Sequence, residues 1–520
     1  MIIKFYLFVI IIILLFLFGG IGLTLIICPK NLLKYSLVFA PFICLIYFSF
    51  FCWIFVNYSQ WGTNVYANFL LIPPAICLII VYFFKRSAMI EAIWPLKREN
   101  IAIFGLCLAI IFIISLPYVL TLSNLNAITL GNSDIANYAS VSAFLTQGTL
   151  LNNVVGADPW ILGLIPNVFS AHISLAVPSS IIHTETYQLF NLVLYIFFGF
   201  SLPFVFIIAK DIFKFCDNLA LIVTGLVGIN FNLILIIYHG YLSQIIGMGY
   251  FLSMAFLTLV FIQRQEKIKA LIYYIPLFAL LLSGLIVTYP TFLPLFFIPL
   301  AFYLACEFIW IKRLVNVLDL VAVFFITGLI SVILFPILSL IRFNELMSYS
   351  NVIVGFNANP LFPSWIMGML TEIVQPDQLM WIRMTPFSAA GILLSVLVGI
   401  VVFLSFRYLY LQNKDLFTIS IFFGIFLFSF YLFLIYKELT APEYTGEGYK
   451  AYKLITYFIP FFVIVGLAYF NKFNFQEHYN SKKIVVLIVL ILFIGFNIFS
   501  AAQIISVNYQ RNIPVNPSII

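Results

Sequence analysis

An all-α polytopic membrane protein of about fourteen transmembrane helices is the architecture expected of this chain, on three grounds. Apolar residues fill 64% of the 520 positions and charged residues only 8%, with a mean hydropathy of +1.15. That leaves too little polar surface to keep the chain in water. Runs of roughly 20 apolar residues, enough to cross a hydrocarbon core of about 30 Å as helix, recur from end to end. No period-two alternation accompanies them, so a barrel gives way to helices, which satisfy their own backbone groups.

In chain order the spans are expected near 4–27, 35–57, 67–84, 101–122, 188–209, 218–238, 245–262, 270–288, 292–310, 316–341, 387–406, 416–436, 454–470 and 484–502. The first run is too long for a signal-peptide core and lacks a small-residue cleavage site, so it is read as a mature span. Positive charge sets the orientation. With the N-terminus outside, Lys30, Lys34, Lys85, Arg86, Lys97, Arg98, Lys210, Lys214, Arg264, Lys267, Lys269, Lys312, Arg313, Arg407, Lys414, Lys472, Lys482 and Lys483 all fall on the cytoplasmic side. Only Lys4, Arg342, Arg383, Lys437, Lys450, Lys453 and Arg511 fall outside, so both termini are expected on the outer face. The net charge of +7 is accounted for by this asymmetry, and no nucleic-acid partner is needed to explain it.

The seven cysteines lie inside spans or at cytoplasmic ends, with no CxxC or Cys/His spacing, so neither disulfides nor cysteine-type zinc chemistry is expected. Loop length then separates the two faces. Cytoplasmic connections are short and basic, whereas outer segments 123–187, 342–386 and 437–453 are long or polar and are expected to carry short interfacial helices. The outer face is the working one. No Walker loop or dinucleotide fingerprint suggests a nucleotide-driven engine.

The first long loop opens with "LGNSDIANYASVSAFLTQGTL". Asn132 or Ser133 can cap a helix beginning at Asp134 and Gly148 can end it, while Ile135, Tyr138, Ala139, Ser142 and Leu145 share one side. Asp134 and Tyr138 are four residues apart and face together, with Asn137 beside them. A carboxylate at that point can take a proton from a hydroxyl or hold a divalent cation. It can equally be a first-turn acid that stabilises a helix start by about 0.3–1 kcal/mol.

The span "IAIFGLCLAIIFIISLPYVL", the loop opening "SDIANY", a helix ending near "TQGTL", then a Pro-bearing segment and another span together resemble the first-loop arrangement of GT-C superfamily glycosyltransferases. "YHGYLSQIIGMG" and "EYTGEGYKAYKLITYFIPF" resemble outer-face motifs of the same superfamily. The resemblance implies a catalytic core over 101–520, preceded by a three-span extension over 1–100. It also implies that a sugar passes from a polyprenyl-phosphate carrier to a lipid, glycan or protein acceptor by inverting transfer. It places Asp134 at the acid/base position and implies a bacterial inner membrane with the active face outside. No DxD or ExD pair marks a metal site, so a divalent cation stays open as cofactor.

A departing lipid phosphate needs cations where water is partly excluded. Lys450, in "EYTGEGYKAYK" with Tyr444 and Glu447 beside it, and Arg383 are the favoured phosphate binders; Arg342, Lys437 and Lys453 read also as snorkelling span ends. Asp158, in "GADPW", is a second carboxylate or a plain turn residue. His239 and Gln244, in "YHGYLSQ", are sugar or phosphate contacts or interface anchors. The loop over 342–386, with Trp365 among amides and acids, is a cleft wall or lid, or an interfacial belt. Two other classes compete. An O-antigen-type polysaccharide polymerase would concentrate paired Arg in its outer loops, and a lipid-linked-sugar flippase or transporter would place ionisable groups within spans around a midplane cavity.

Overall fold

The computed structural model describes residues 2–59, 61–84, 86, 98–120, 127–128, 134–147, 168–264, 272–311, 314–348, 363–371, 388–440, 447–473, 481–511 and 513–514. Its main helices are α1 (Ile2–Ile27), α2 (Ser36–Ile54), α3 (Ile72–Phe84), α4 (Arg98–Leu120), α5 (Asp134–Gln147), α6 (Phe169–Ile182), α7 (Thr186–Ile207), α8 (Asp217–Gly228) and α9 (Phe231–Tyr238). They continue as α10 (Leu242–Arg264), α11 (Ile275–Thr288), α12 (Phe292–Cys306), α13 (Leu314–Leu334), α14 (Pro336–Ser348), α15 (Ala389–Gln412), α16 (Lys414–Thr440), α17 (Glu447–Gly466) and α18 (Ser481–Arg511). The described strand structure is one two-residue antiparallel pairing, Ala127 opposite Pro514 and Ile128 opposite Ile513.

Ten helices among the described residues are long and apolar enough to cross a membrane, or eleven if α8 and α9 form one bent span. The expected fourteen is therefore too many. The runs near 67–84 and 270–288 become the shorter apolar stretches Phe69–Phe84 and Ile272–Thr288, each a 3-10 turn running into a Pro-bearing α-helix: α3 opens Ile72-Pro73-Pro74 and α11 opens Ile275-Pro276. At 13 and 14 residues these two α-helices reach only about 20 Å. The third run, near 454–470, lies in α17, which begins in the polar turn at Glu447, and its described apolar part is the shorter Tyr457–Lys472. One apolar helix was not expected at all. The 14-residue α6, inside the first long loop, is buried along almost its whole length. Its serines and alanines let it sit against α2, α5 and α7.

The centre of the bundle is the pair α7 and α10, both buried almost throughout and packed on each other. The first two spans join this core: α1 packs on α2 and α7, and α2 on α6 and α11. α13, α15, α16 and α18 bury much less of themselves and form the apolar perimeter.

α8 and α9 bend by 42° at a break that the sequence Gly228-Ile229-Asn230 explains. Asn230 caps α9 by accepting the Asn232 N–H at 3.0 Å. The same break receives residues 363–371, which run inside the bundle. Asn230 and Asn232 donate to the carbonyls of Ile366 (2.9 Å) and Trp365 (2.8 Å), and Asn497 of α18 donates to Met367 O (2.9 Å). Gly368, at φ +86°, turns this segment so close to Asn497 that a Cβ would overlap its amide. Trp365, in the loop read as a cleft wall, lid or interfacial belt, is buried, as is Arg342 within α14.

Candidate functional site

At the end of the bundle where α4 stops and α5 starts, several polar elements converge. α5 begins at Asp134 and buries Ile135, Tyr138, Ala139, Ser142 and Leu145, the side that the spacing marks as apolar. Side-chain hydroxyls pin it in place: Thr186 Oγ1 donates to Ala139 O at 2.8 Å, and Ser142 Oγ to His172 O at 3.1 Å. Tyr138 lies against the His172 ring (5.4 Å) and the Phe190 ring (5.8 Å), and its hydroxyl pairs with Ser243 Oγ at 2.6 Å.

The turn from α9 to α10 supplies the next group. Gly240 adopts φ +73°, and a Cβ there would overlap the Ile135 side chain, so the turn and the start of α5 are in direct contact. His239 is buried, and its Nδ1 lies 2.8 Å from Leu235 O. A carbonyl only accepts, so the proton sits on Nδ1 and the neutral ring presents Nε2 as an acceptor. Burial pushes the His239 imidazole below its ordinary value; the Leu235 bond opposes this and the charge of Lys453 reinforces it. The ring stacks at 5.8 Å and 7° on Tyr241, over which Lys453 places its ammonium at 4.8 Å.

A third group comes from the junction of α11 and α12. Gln244 Nε2 donates to Tyr289 Oη at 3.0 Å, while Gln244 Oε1 is buried and accepts no hydrogen bond among the described residues. Burial pushes the Tyr289 phenol up to about 12, partly offset by the hydroxyls of Thr291 and Tyr457. Tyr457 of α17 packs on Tyr289 (6.1 Å) and on Phe292 (4.3 Å).

Of the residues singled out from the sequence, Tyr138, His239 and Gln244 thus meet at one site. Asn137 is partly exposed on α5. Asp134 is the first residue of α5, and Glu447 and Lys450 stand in the first turn of α17; their side chains lie outside the described residues. Asp158, Arg383 and Tyr444 lie outside the described residues altogether. Lys453, read from sequence as a span-end cation, joins the site through Tyr241. Ser243, Tyr289, Tyr457 and His172 were not anticipated; the polar break "TYPT" between two apolar runs was the available signal for Tyr289. Among the described residues no three His, Cys, Asp or Glu side chains gather as a metal site.

Fold and composition together define a multi-pass, all-helical membrane protein with a polar, tyrosine-rich site at one end of its bundle. No family model, no curated protein and no solved structure matches the chain.

Proposed function

We propose that this protein is an integral-membrane glycosyltransferase of GT-C type, using a polyprenyl-phosphate-linked sugar as donor and a lipid, glycan or protein as acceptor. The observation that carries the reading is the contact between the start of Asp134's helix and the His239–Gly240 turn, with Lys453 stacked beside that turn. It brings an acid position and a cation to one end of the bundle.

In the proposed reaction the Asp134 carboxylate takes the proton of the acceptor hydroxyl. The acceptor oxygen forms its bond to the anomeric carbon from the face opposite the phosphate. The bond from that carbon to the phosphate oxygen breaks, and the electron pair leaves with the polyprenyl phosphate. Lys453, with Lys450 and Arg383, neutralises the departing phosphate. His239, Gln244, Asn137 and Tyr138 contact the sugar or hold those that do, and Asp158, Tyr444 and Glu447 complete the outer wall. Were a divalent cation to take part, the Asp134 carboxylate would help to hold it and the ion would supply charge neutralisation to the departing phosphate.

The transporter reading draws support from the broken span α8–α9 and the buried segment 363–371, since discontinuous helices at mid-bundle line transport paths. Against it, the Asn230, Asn232 and Asn497 amides donate to that segment's carbonyls and so hold it in place. The glycolipids and glycans of cells lacking the protein separate the readings. Loss of one transferred sugar supports the transferase, loss of polymer length the polymerase, and build-up of an inner-leaflet intermediate the flippase.

A further inference from the structure

Beyond Tyr457 the bundle holds a second, chemically different feature. α10, α12, α15, α16 and α17 enclose a cleft of about 680 Å³ whose lining is almost wholly apolar and rich in phenylalanine. Along α16 it runs from Phe417 to Phe428, eleven residues or roughly 17 Å, about half of a 30 Å hydrocarbon core. It opens sideways past the exposed Phe403, Ile425 and Phe428. Among the described residues its one charged lining residue is Arg407, near the end of α15, where it meets the start of α16 at Lys414. Arg407 has no acidic partner among the described residues. Asp415 faces a neighbouring polar pocket shared with Lys34 and Asp211.

We propose that this cleft binds one chain of an anionic phospholipid of the surrounding bilayer, with the headgroup phosphate at Arg407. The depth matches one leaflet, the walls match an acyl chain, and an unpaired guanidinium at the mouth of an interhelical groove suits a phosphate. The carrier lipid of the candidate site is a poorer fit. Phe251 packs on Phe292 (5.2 Å) and Phe292 on Tyr457 (4.3 Å), so these rings stand between the cleft and the Tyr289 group, and a chain anchored near Lys453 would have to pass them or enter from the bilayer. The proposal is independent of the transferase reading, and its readout is bound lipid.

Gly424 lines the cleft, and a Cβ added there meets nothing within 4 Å, so a side chain at this position starts into open space and Gly424→Phe is the variant that occupies the groove. Native mass spectrometry of the purified full chain, after exchange into nanodiscs of phosphatidylglycerol or phosphatidylcholine, counts retained lipid. The wild type should retain one phosphatidylglycerol, and Gly424→Phe should lower its occupancy at least ~10-fold with elution volume and helix content unchanged. Arg407→Gln, at an exposed position, should still hold a lipid but lose a preference for phosphatidylglycerol of about fivefold. Undiminished lipid in Gly424→Phe, equal retention of the two lipids by the wild type, or an unaltered preference in Arg407→Gln would overturn the proposal. So would polyprenyl phosphate co-purifying in place of phospholipid and being displaced by Gly424→Phe.

Discussion

Replacing Gly240 with alanine should loosen the joint between the His239 turn and the helix that begins at Asp134. Two separate costs arise. An L-residue at φ +73° is held in the left-handed region, at about 1–2 kcal/mol. The new methyl also overlaps the γ- and δ-carbons of Ile135, and overpacking of this kind costs about 1–3 kcal/mol. Because the overlapped atoms are the movable end of a side chain, the sum should fall near 2–4 kcal/mol. Equilibrium unfolding in mixed micelles measures it. The cycle with Ile135→Ala separates the terms: removing the overlapped atoms should relieve about 1–2 kcal/mol of the alanine's cost and leave the backbone part in place. A loss below about 0.5 kcal/mol for Gly240→Ala, or no coupling to Ile135, would refute the claim that this contact fixes α5 against the turn.

Three further outcomes are expected. His239 sits below its ordinary value of 6.5 in the folded chain, so the unfolded chain takes up the proton first. Stability should be full above that value and fall as pH drops below it, and His239→Gln should flatten the fall in thermal midpoint between about pH 7 and 5; an unchanged slope would remove His239 as its source. Lys453→Met should cost about 0.5–2 kcal/mol through the lost cation over Tyr241 and raise the apparent donor constant at least ~10-fold; unchanged donor use would move the phosphate contact elsewhere. Asn497→Leu leaves the Met367 carbonyl unpaired inside the bundle and should cost about 1–3 kcal/mol in unfolding, whereas a near-neutral result would mean the buried segment is held by other bonds.

The membrane-spanning helical character was legible because it rests on composition and run length, which survive any detail of packing. The helix from Asp134 was legible too, since its start and stop signals and its apolar side are all local. The span count was not. Pro-Pro at 73–74 and Pro276 shorten helices whose hydropathy alone reads as continuous, and α6 is a short apolar helix that needs a partner on every side. The buried path of 363–371 was also hidden, because the amides that hold it come from Asn230 and Asn497, more than a hundred residues away on either side. Within the candidate site, His239 and Gln244 stood out as polar residues in an apolar setting. Tyr289 and Tyr457 did not, because a tyrosine at a span end reads equally as an interfacial anchor.

One measurement tests the catalytic role of Asp134 most directly. Purified wild type and Asp134→Asn, both in nanodiscs, are supplied with polyprenyl-phosphate sugars and acceptor lipids, and product is counted by mass spectrometry. Asparagine keeps the size of the side chain but cannot take the acceptor's proton, so transfer should fall by at least ~10² while thermal stability stays close to wild type. Near-normal transfer by the Asn variant, or a loss confined to about 0.3–1 kcal/mol of stability as for a helix-start acid, would contradict the catalytic assignment.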